Sequence, residues 1–318
     1  MLLILTNSED VTADYLVPVL RQHEIEFLRF DTDSALHRIV FQYVDWKPSL
    51  LADGRSYHPE VFLNVWYRRP ERLKHEEFDG SPEGGFVLDE WSEALEGFFA
   101  HIEMRKWMNH PSRNVAASHK IEQLTTARAL GLRVPDTLVT QEPGQLRIFY
   151  EKHGERIIAK PMATGYVERP EGERDSLIYT NSVRPEHLAN LEDLPACPTL
   201  FQEQIDKVSD IRITVVDHDI HAVELVALEP HGSQRCDIRR NNMEDVSYRL
   251  VTLPAQIERG VMTLVSHYAL RFAAIDMAVT RDGEWVFFEV NPNGQWAWLD
   301  LAGGTNIADS FVRAFRGN

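Results

Sequence analysis

Residues 273–293 (AAIDMAVTRDGEWVFFEVNPN) constrain the fold most, because they read as two apolar strands joined at Asp282-Gly283. An Asp-Gly pair between apolar runs is the strongest short-range signal for a hairpin with a two-residue turn. With these two residues as the loop, counting back along the strands sets Asp276 opposite Glu289. Directly opposed residues lie on one face of a hairpin, so we predict that the two carboxylates face each other.

These carboxylates, together with Asn291, predict a metal site on the hairpin. Asn291 lies two residues beyond Glu289, so its side chain points to the same face. Facing carboxylates repel each other, and the apolar neighbours of Asp276 and Glu289 add a desolvation cost. A hard cation with oxygen ligands removes that cost, and Asp, Glu and Asn together suit Mg²⁺. The alternative is a surface hairpin whose polar face is solvated.

Composition narrows the class of protein. A chain of 318 residues is too long for one ordinary core and predicts two or three domains. The formal net charge of −16 argues against a nucleic-acid partner, because phosphate backbones are bound by basic surfaces. Two cysteines, Cys197 and Cys236, provide no disulfide framework and indicate a reducing compartment. The apolar run in MLLILTNSED is too short for a signal peptide or a membrane span, so we expect a cytoplasmic enzyme without a membrane partner.

The apolar spacing divides the chain into three segments of mixed strands and helices. The first segment is an α/β unit, the second begins near Asn114, and the third feeds the metal hairpin. Ser118 is the predicted N-cap of the first helix in the second segment, and Gly131 is the predicted residue after its end. Predicted strands span 2–5, 26–30, 61–67, 156–160, 199–205, 211–217 and 220–228, and predicted helices span 12–23, 86–108, 120–130 and 256–273, with a loop over 163–178.

Two lysines and one strand indicate a nucleotide site. Lys120 lies near the start of a predicted helix, and Lys160 ends a buried strand. Such a lysine is usually a solvated terminus, but ammonium groups and a metal ion together neutralise a triphosphate, which favours phosphate binding here. In the strand FQEQI (201–205), Glu203 and the backbone could bind an adenine edge. An edge strand with outward polar residues is equally consistent with that segment.

Two arginine-containing segments add cations to an otherwise acidic chain. They are Asp210-Ile211-Arg212 and Arg239-Arg240-Asn241. A guanidinium binds phosphate or acyl-phosphate oxygens in a bidentate manner, whereas a surface arginine is usually only a solvated charge. Each segment alone is weak evidence, and the order of all these residues along the chain carries the interpretation.

In that order the residues resemble the motifs of ATP-grasp ligases, in which a nucleotide lies between two α+β lobes behind a preceding α/β domain. The resemblance covers roughly residues 110–318 and is specific as a set. It implies that the lysines, the hinge, Asp210 and Asn241 bind the nucleotide, that two arginines stabilise an acyl phosphate, and that three residues hold Mg²⁺. The matching residues are Lys120, Lys160, Gln202, Glu203, Gln204, Ile205, Asp210, Arg212, Arg239, Asn241, Asp276, Glu289 and Asn291.

Within that superfamily the chain is most similar to the peptide-modifying ligases of the microviridin (graspetide) group. This likeness implies an α/β ATP-grasp fold with a pre-ATP-grasp domain at 1–112, a central or lid domain at 113–198 and a C-terminal domain at 199–318. The similar segments are NVWYRRP (64–70), LIYTNSV (177–183), DIRITVV (210–216) and EVNPNGQWAWLD (289–300).

The resemblance implies an enzyme that uses ATP and Mg²⁺ to form an acyl phosphate on a substrate carboxylate. A hydroxyl or amine then displaces phosphate, which would join side chains of a ribosomally made precursor peptide into macrocycles. The expected partner is a leader followed by an acidic, Ser/Thr/Lys-containing core, and we expect a homodimer or a higher homo-oligomer. An amino-acid (glutamate) ligase and a catalytically silent ATP-binding or peptide-sensing protein are the alternatives.

Four further residues have two interpretations each. Trp296 and Trp298 could line a peptide groove, or they could fill a core, which is usual for tryptophan near the end of an apolar strand. Arg68 and Arg69 could bind an acidic peptide, or they could be surface charges. The sequence leaves both questions open.

Overall fold

The computed structural model describes residues 1–75, 78, 80–163, 165–169, 174–229, 232, 234–238 and 245–316. The described residues form helices and several separate sheets, a mixture of both classes as expected from the sequence. No helix within the described ranges is long and apolar enough to cross a membrane.

The first part of the chain forms a parallel sheet with the spatial order β2-β1-β6-β7. β1 is buried along its whole length, as is usual for a parallel strand covered on both faces. A small antiparallel sheet, β3-β4-β5, which the apolar spacing did not predict, lies beside it. The elements are β1 (Leu2–Thr6), α1 (Val11–Gln22), β2 (Phe27–Asp31), β3 (Ile39–Val44), β4 (Lys47–Ala52), β5 (Arg55–Tyr57), β6 (Asn64–Tyr67), α2 (Pro82–Phe99) and β7 (Trp107–Met108).

The helix predicted over 86–108 is wrong in its second half. α2 ends at Phe99, and Trp107–Met108 pairs with β6 as a strand. Ile102 and Trp107 are buried like the helical residues before them. The apolar spacing therefore continued because these side chains fill the same core, although the backbone there is not helical.

The second part forms a sheet with the order β12-β9-β13-β8. β13 belongs to this sheet, although the predicted boundary between 198 and 199 would assign it to the following segment. The region predicted as a loop over 163–178 contains a short hairpin, β10 with β11. The elements are α3 (Pro111–Ala117), α4 (Lys120–Ala129), β8 (Thr137–Thr140), α5 (Pro143–Lys152), β9 (Ile157–Lys160), β10 (Tyr166–Val167), β11 (Ser176–Leu177), β12 (Asn181–Ser182), α6 (Pro185–Leu188) and β13 (Thr199–Glu203).

The third part forms a five-stranded antiparallel sheet with the order β16-β15-β14-β17-β18. One face packs against α4 and α7. The other face packs against α8, α9 and α1 and shares a core with β1. The elements are β14 (Lys207–Val216), β15 (Asp219–Val226), β16 (Ser247–Leu250), α7 (Ala255–His267), β17 (Phe272–Thr280), β18 (Trp285–Asn291), α8 (Ala297–Gly303) and α9 (Ile307–Arg316).

The predicted hairpin forms between β17 and β18, and Asp276 pairs with Glu289 as predicted. The predicted two-residue turn is wrong, because the Thr280 amide donates to the Glu284 carbonyl and leaves a loop of residues 281–283. That change would shift the pairing by one residue. Phe288 compensates for it as the extra residue of a β-bulge between the pairs Asp276–Glu289 and Met277–Phe287.

Candidate active site

Arg212, Asp276 and Glu289 form a row across three adjacent strands of the five-stranded sheet. Arg212 pairs with Asp276 between β14 and β17, and Asp276 pairs with Glu289 between β17 and β18. Cross-strand neighbours lie on the same face. The guanidinium Nη1 of Arg212 is 3.3 Å from the carboxylate Oδ1 of Asp276. The sheet thus places a cation directly beside two carboxylates.

Three nearby cations favour the ionised form of the Glu289 carboxyl. Burial alone would raise the pKa of the Glu289 carboxyl, but Lys120, Lys160 and Arg212 outweigh burial and hold this pKa below its ordinary value. The ammonium Nζ of Lys120 is 3.3 Å from Glu289 Oε2. Both predicted phosphate lysines therefore converge on the carboxylate that was predicted to bind the metal.

The start of α4 positions Lys120. The predicted N-cap, Ser118, is wrong, because His119 occupies that position. Ser118 instead follows the end of α3, and its hydroxyl donates to the carbonyl of Asn114 within that helix. Lys120 Nζ also donates to the carbonyl of Pro161 at 3.0 Å. Lys120 thus connects the helix to the residue that follows Lys160.

Asn291 completes the polar face of the hairpin. It pairs with Ala274, two residues from the Asp276–Glu289 pair, and its side-chain Oδ1 accepts a hydrogen bond from the Asn293 amide at 2.9 Å. Within the described part of the chain, no group of three or more His, Cys, Asp and Glu side chains could hold a metal ion. Two carboxylates and one amide oxygen nevertheless fit Mg²⁺, which usually takes one or two carboxylates and completes its shell with phosphate and water oxygens.

Asp210 forms internal contacts that the sequence did not predict. Its carboxylate accepts hydrogen bonds from Lys207 Nζ at 2.6 Å and from Gln234 Nε2 at 2.8 Å. Burial raises the pKa of Asp210, while Lys207 opposes that rise. The Lys207 side chain is 9% exposed, and its ammonium lies 5.8 Å from the ring centroid of Phe288. The sequence carried no signal for this pair, because residues three apart point to opposite faces of a regular strand, whereas β14 is irregular between Lys207 and Ser209.

The predicted hinge comprises the last two residues of β13 and the two residues after it. Gln202 is buried and donates from Nε2 to the Thr137 hydroxyl at 2.9 Å. Glu203 accepts from the Asp136 amide at 3.2 Å. Gln204 and Ile205 are half-buried beyond the end of the strand. Arg239 and Asn241, by contrast, lie outside the described residues.

The two arginines of the NVWYRRP segment have different surroundings. Arg68 is 2% exposed, and its Nε lies 3.5 Å from Asp10 Oδ2. Burial lowers the pKa of Arg68 to about 10, although Asp10 opposes that shift. Arg68 Nη1 donates to the Asn293 carbonyl, so this residue joins β6 to the segment after β18. Arg69 is exposed and lines a cavity.

The two tryptophans also differ. Trp296 is fully buried and stacks on Phe311, with ring centroids 4.8 Å apart, so it belongs to the core. Trp298 is half-buried, and the Arg212 guanidinium carbon lies 6.0 Å from its ring centroid. This cation–π geometry places Trp298 beside the row of charged residues.

Comparison with solved structures supports the assignment of the fold. The macrocyclase MdnC from Microcystis aeruginosa MRC, bound with precursor peptide MdnA, is 26% identical with a TM-score of 0.81, over 98% of this chain and 97% of that chain. A Chryseobacterium gregarium RiPP-associated ATP-grasp ligase in complex with ADP and a leader and core peptide is 26% identical with a TM-score of 0.81, over 97% and 94%.

A more distant structure has the same fold. The ATP-grasp ligase PsnB, complexed with a phosphomimetic variant of its minimal precursor, Mg and ADP, is 19% identical with a TM-score of 0.74, over 99% of this chain and 98% of that chain. No protein-family model and no curated protein sequence matches the chain. The ATP-grasp fold expected from the sequence is thus confirmed, and the likeness to MdnC covers nearly the whole chain, including its first third.

Proposed function

We propose that this chain, a graspetide-type ATP-grasp ligase, uses ATP and Mg²⁺ to close rings between side chains of a ribosomally made precursor peptide. The observation that carries the proposal is the convergence of Lys120, Lys160 and Arg212 on Asp276 and Glu289 at one face of the sheet. Three cations around two carboxylates provide a site for phosphate groups and a divalent metal together.

The residues of this face fit the cofactors of the ATP-grasp ligases. Lys120 and Lys160 would bind the ATP phosphates, and the hinge of residues 202–205 would bind adenine. Asp276, Glu289 and Asn291 would hold Mg²⁺, which supplies neutralisation of the charge on the transferred phosphoryl group. The Chryseobacterium gregarium ligase, which was solved with ADP, and PsnB, which was solved with Mg and ADP, support this assignment.

Arg212 would act on the reacting carboxylate. One oxygen of a peptide Asp or Glu attacks the γ-phosphorus of ATP, ADP leaves, and an acyl phosphate forms. A planar guanidinium can hold two oxygens of that intermediate, and the Arg212 guanidinium is held near both Trp298 and Asp276. Arg239 stays predicted to stabilise the acyl phosphate together with Arg212, and Asn241 stays predicted to bind the nucleotide. Asp210, predicted to bind the nucleotide, would act by holding the Lys207 ammonium on β14.

The second half of the reaction closes the ring. The oxygen or nitrogen of a Ser, Thr or Lys side chain attacks the acyl carbon, the C–O bond to phosphate breaks, and inorganic phosphate leaves. Each ring therefore uses one ATP and lowers the peptide mass by one water. We propose a substrate with a leader and an acidic core containing such nucleophiles, and a homodimeric or higher oligomeric enzyme.

Mass spectrometry with candidate peptides tests the function. Short peptides encoded beside this gene are incubated with enzyme, ATP and Mg²⁺, and ADP release is measured in parallel. We expect successive losses of the mass of water, coupled to ADP formation. A gain in mass on addition of free glutamate would instead identify an amino-acid ligase. ATP binding without ADP formation for any peptide would identify a silent ATP-binding protein.

A further inference from the structure

Gln123 is a buried glutamine on α4, three residues after Lys120. Side chains three positions apart on a helix are neighbours, so Gln123 lies on the same side of α4 as Lys120. Its side chain is 2% exposed, and a buried amide is costly unless its donor and acceptor groups find partners. Gln123 thus lies about one helical turn from a proposed phosphate ligand.

Three hydrogen bonds engage both ends of the Gln123 amide. Its Oε1 accepts from the Val290 amide at 3.0 Å, and its Nε2 donates to the Val290 carbonyl at 2.9 Å. Nε2 also donates to the carbonyl of Ala117, the last residue of α3, at 2.5 Å. Such a site requires an amide, because a carboxylate in its place would set an oxygen against two carbonyl oxygens.

β18 is an edge strand, and Gln123 pairs part of its free edge. An edge strand presents N–H and C=O groups that no further strand can pair. The segment after α4 covers this edge at a second point, where the Arg133 carbonyl accepts from the Phe287 amide at 2.8 Å. The β-bulge at Phe288 lies between these two attachments. Because a bulge locally disrupts the pairing with the neighbouring strand, the attachments hold β18 where β17 holds it least.

Val290 lies between two proposed metal ligands, Glu289 and Asn291. Hydrogen bonds to the Val290 backbone fix the points from which both ligand side chains leave the strand. The same side of α4 carries Lys120, whose Nζ is 3.3 Å from Glu289 Oε2. Gln123 thereby sets the position of the metal strand relative to the phosphate lysine.

We infer that Gln123 is a positioning residue, which couples nucleotide binding to metal binding by holding β18 against α4. The inference rests on the proposed phosphate and Mg²⁺ site. Phosphate oxygens of the nucleotide and oxygens of the hairpin must fit within one coordination shell of Mg²⁺, which demands near-ideal geometry. Ligands that are held in place before binding lose little freedom when the ion and the nucleotide bind. Without the bonds from Gln123, the metal strand can move relative to Lys120, and the coupling weakens.

The coupling is measured as the ratio of the ADP dissociation constant in EDTA to that in Mg²⁺, by calorimetry on the full chain. Gln123→Met keeps the approximate length of the side chain and removes its hydrogen bonds. We expect this variant to lower the ratio about tenfold, the lower end of the loss in metal affinity when groups that orient metal ligands are removed. ADP binding in EDTA should change much less, because no metal is bound there.

Asn64→Leu is the matched control for the loss of a buried amide. Asn64 Nδ2 donates to the Phe315 carbonyl at 3.1 Å, and its Oδ1 accepts from Arg271 at 3.0 Å. These bonds connect β6 with the end of α9 and with Arg271 rather than with β18. We expect Asn64→Leu to lower the melting temperature, as Gln123→Met does, and to leave the ratio unchanged.

Hydrogen exchange in the wild type tests the same contact without a variant. The Val290 amide should exchange slowly in the absence of nucleotide and metal, because its bond to Gln123 forms within the protein itself. Exchange of this amide as fast as in an open loop would overturn the inference, even if Gln123→Met does not fold.

The other outcomes separate the inference from the proposed function. A wild type with equal ADP affinity in EDTA and in Mg²⁺ would refute the proposed metal site, and the positioning role with it. A large wild-type ratio that is unchanged in folded Gln123→Met would overturn the positioning role alone. An equal fall of the ratio in Asn64→Leu would also overturn it, because the loss would then follow from stability and not from the position of β18.

Discussion

Replacing Glu289 by Gln should have opposite effects on ADP binding with and without metal. Glu289 opposes phosphate binding by neutralising Lys120, and it supports phosphate binding when it holds Mg²⁺. The Lys120–Glu289 contact spans 3.3 Å, with 20% and 28% of the two side chains exposed. A charge-assisted hydrogen bond contributes roughly 1.5–3 kcal/mol, and partial exposure reduces that contribution. In EDTA we therefore expect Glu289→Gln to bind ADP about tenfold more tightly, equivalent to about 1.4 kcal/mol.

Isothermal titration calorimetry measures both effects. The wild type should bind ADP more tightly when EDTA is replaced by Mg²⁺, and Glu289→Gln should lose most of that gain. Glu284→Gln is the matched control, because Glu284 lies at the far end of the same hairpin, where it pairs with Arg133. Weaker ADP binding by Glu289→Gln in EDTA would refute the electrostatic reasoning. A full gain from Mg²⁺ in this variant would refute the assignment of Glu289 as a metal ligand.

Three further predictions concern single side chains. Lys160→Ala should weaken ATP binding by roughly 1–3 kcal/mol in calorimetry, whereas the exposed Lys152→Ala should not. Trp298→Ala should lower kcat about two- to thirtyfold without changing ATP affinity, because it removes the cation–π contact to Arg212, and Trp298→Phe should restore most of the rate. Burial lowers the pKa of His221 below its ordinary 6.5 in the folded state, so the stability it contributes is complete above pH 6.5 and is lost as the pH falls. His221→Gln should accordingly lose less unfolding free energy than the wild type in denaturant titrations below pH 6.5.

The hairpin illustrates how much of the site could be predicted from sequence. The pairing of Asp276 with Glu289 is correct, although the turn that led to it is wrong by one residue. Sequence patterns do not reveal a β-bulge at Phe288, because a bulged phenylalanine and a paired one have the same apolar character. The longer turn and the bulge each shift the register by one residue in opposite directions, so Asp276 still pairs with Glu289.

Other contacts depended on tertiary structure. The convergence of Lys120 and Lys160 on Glu289 brings together three separate elements, so only the resemblance to ATP-grasp ligases could anticipate it. Lys207 and Asp210 are three residues apart, a spacing that separates side chains on a regular strand, so their contact depends on the irregularity in β14 that the sequence does not reveal. Arg68 and Arg69 are adjacent in sequence, yet one is buried and the other exposed, a difference that composition alone cannot predict.

The core around Phe311 has a consequence for engineering this enzyme. Phe311 on α9 contacts Trp66 of the parallel sheet, Phe272 of the five-stranded sheet and Trp296. Replacing residues 1–112 with those of a relative would therefore change the surroundings of Trp66 within an aromatic core. Phe272, Trp296 and Phe311, from the rest of the chain, complete that core. Chimaeras joined at residue 112 should therefore need repacking of α9 before they fold.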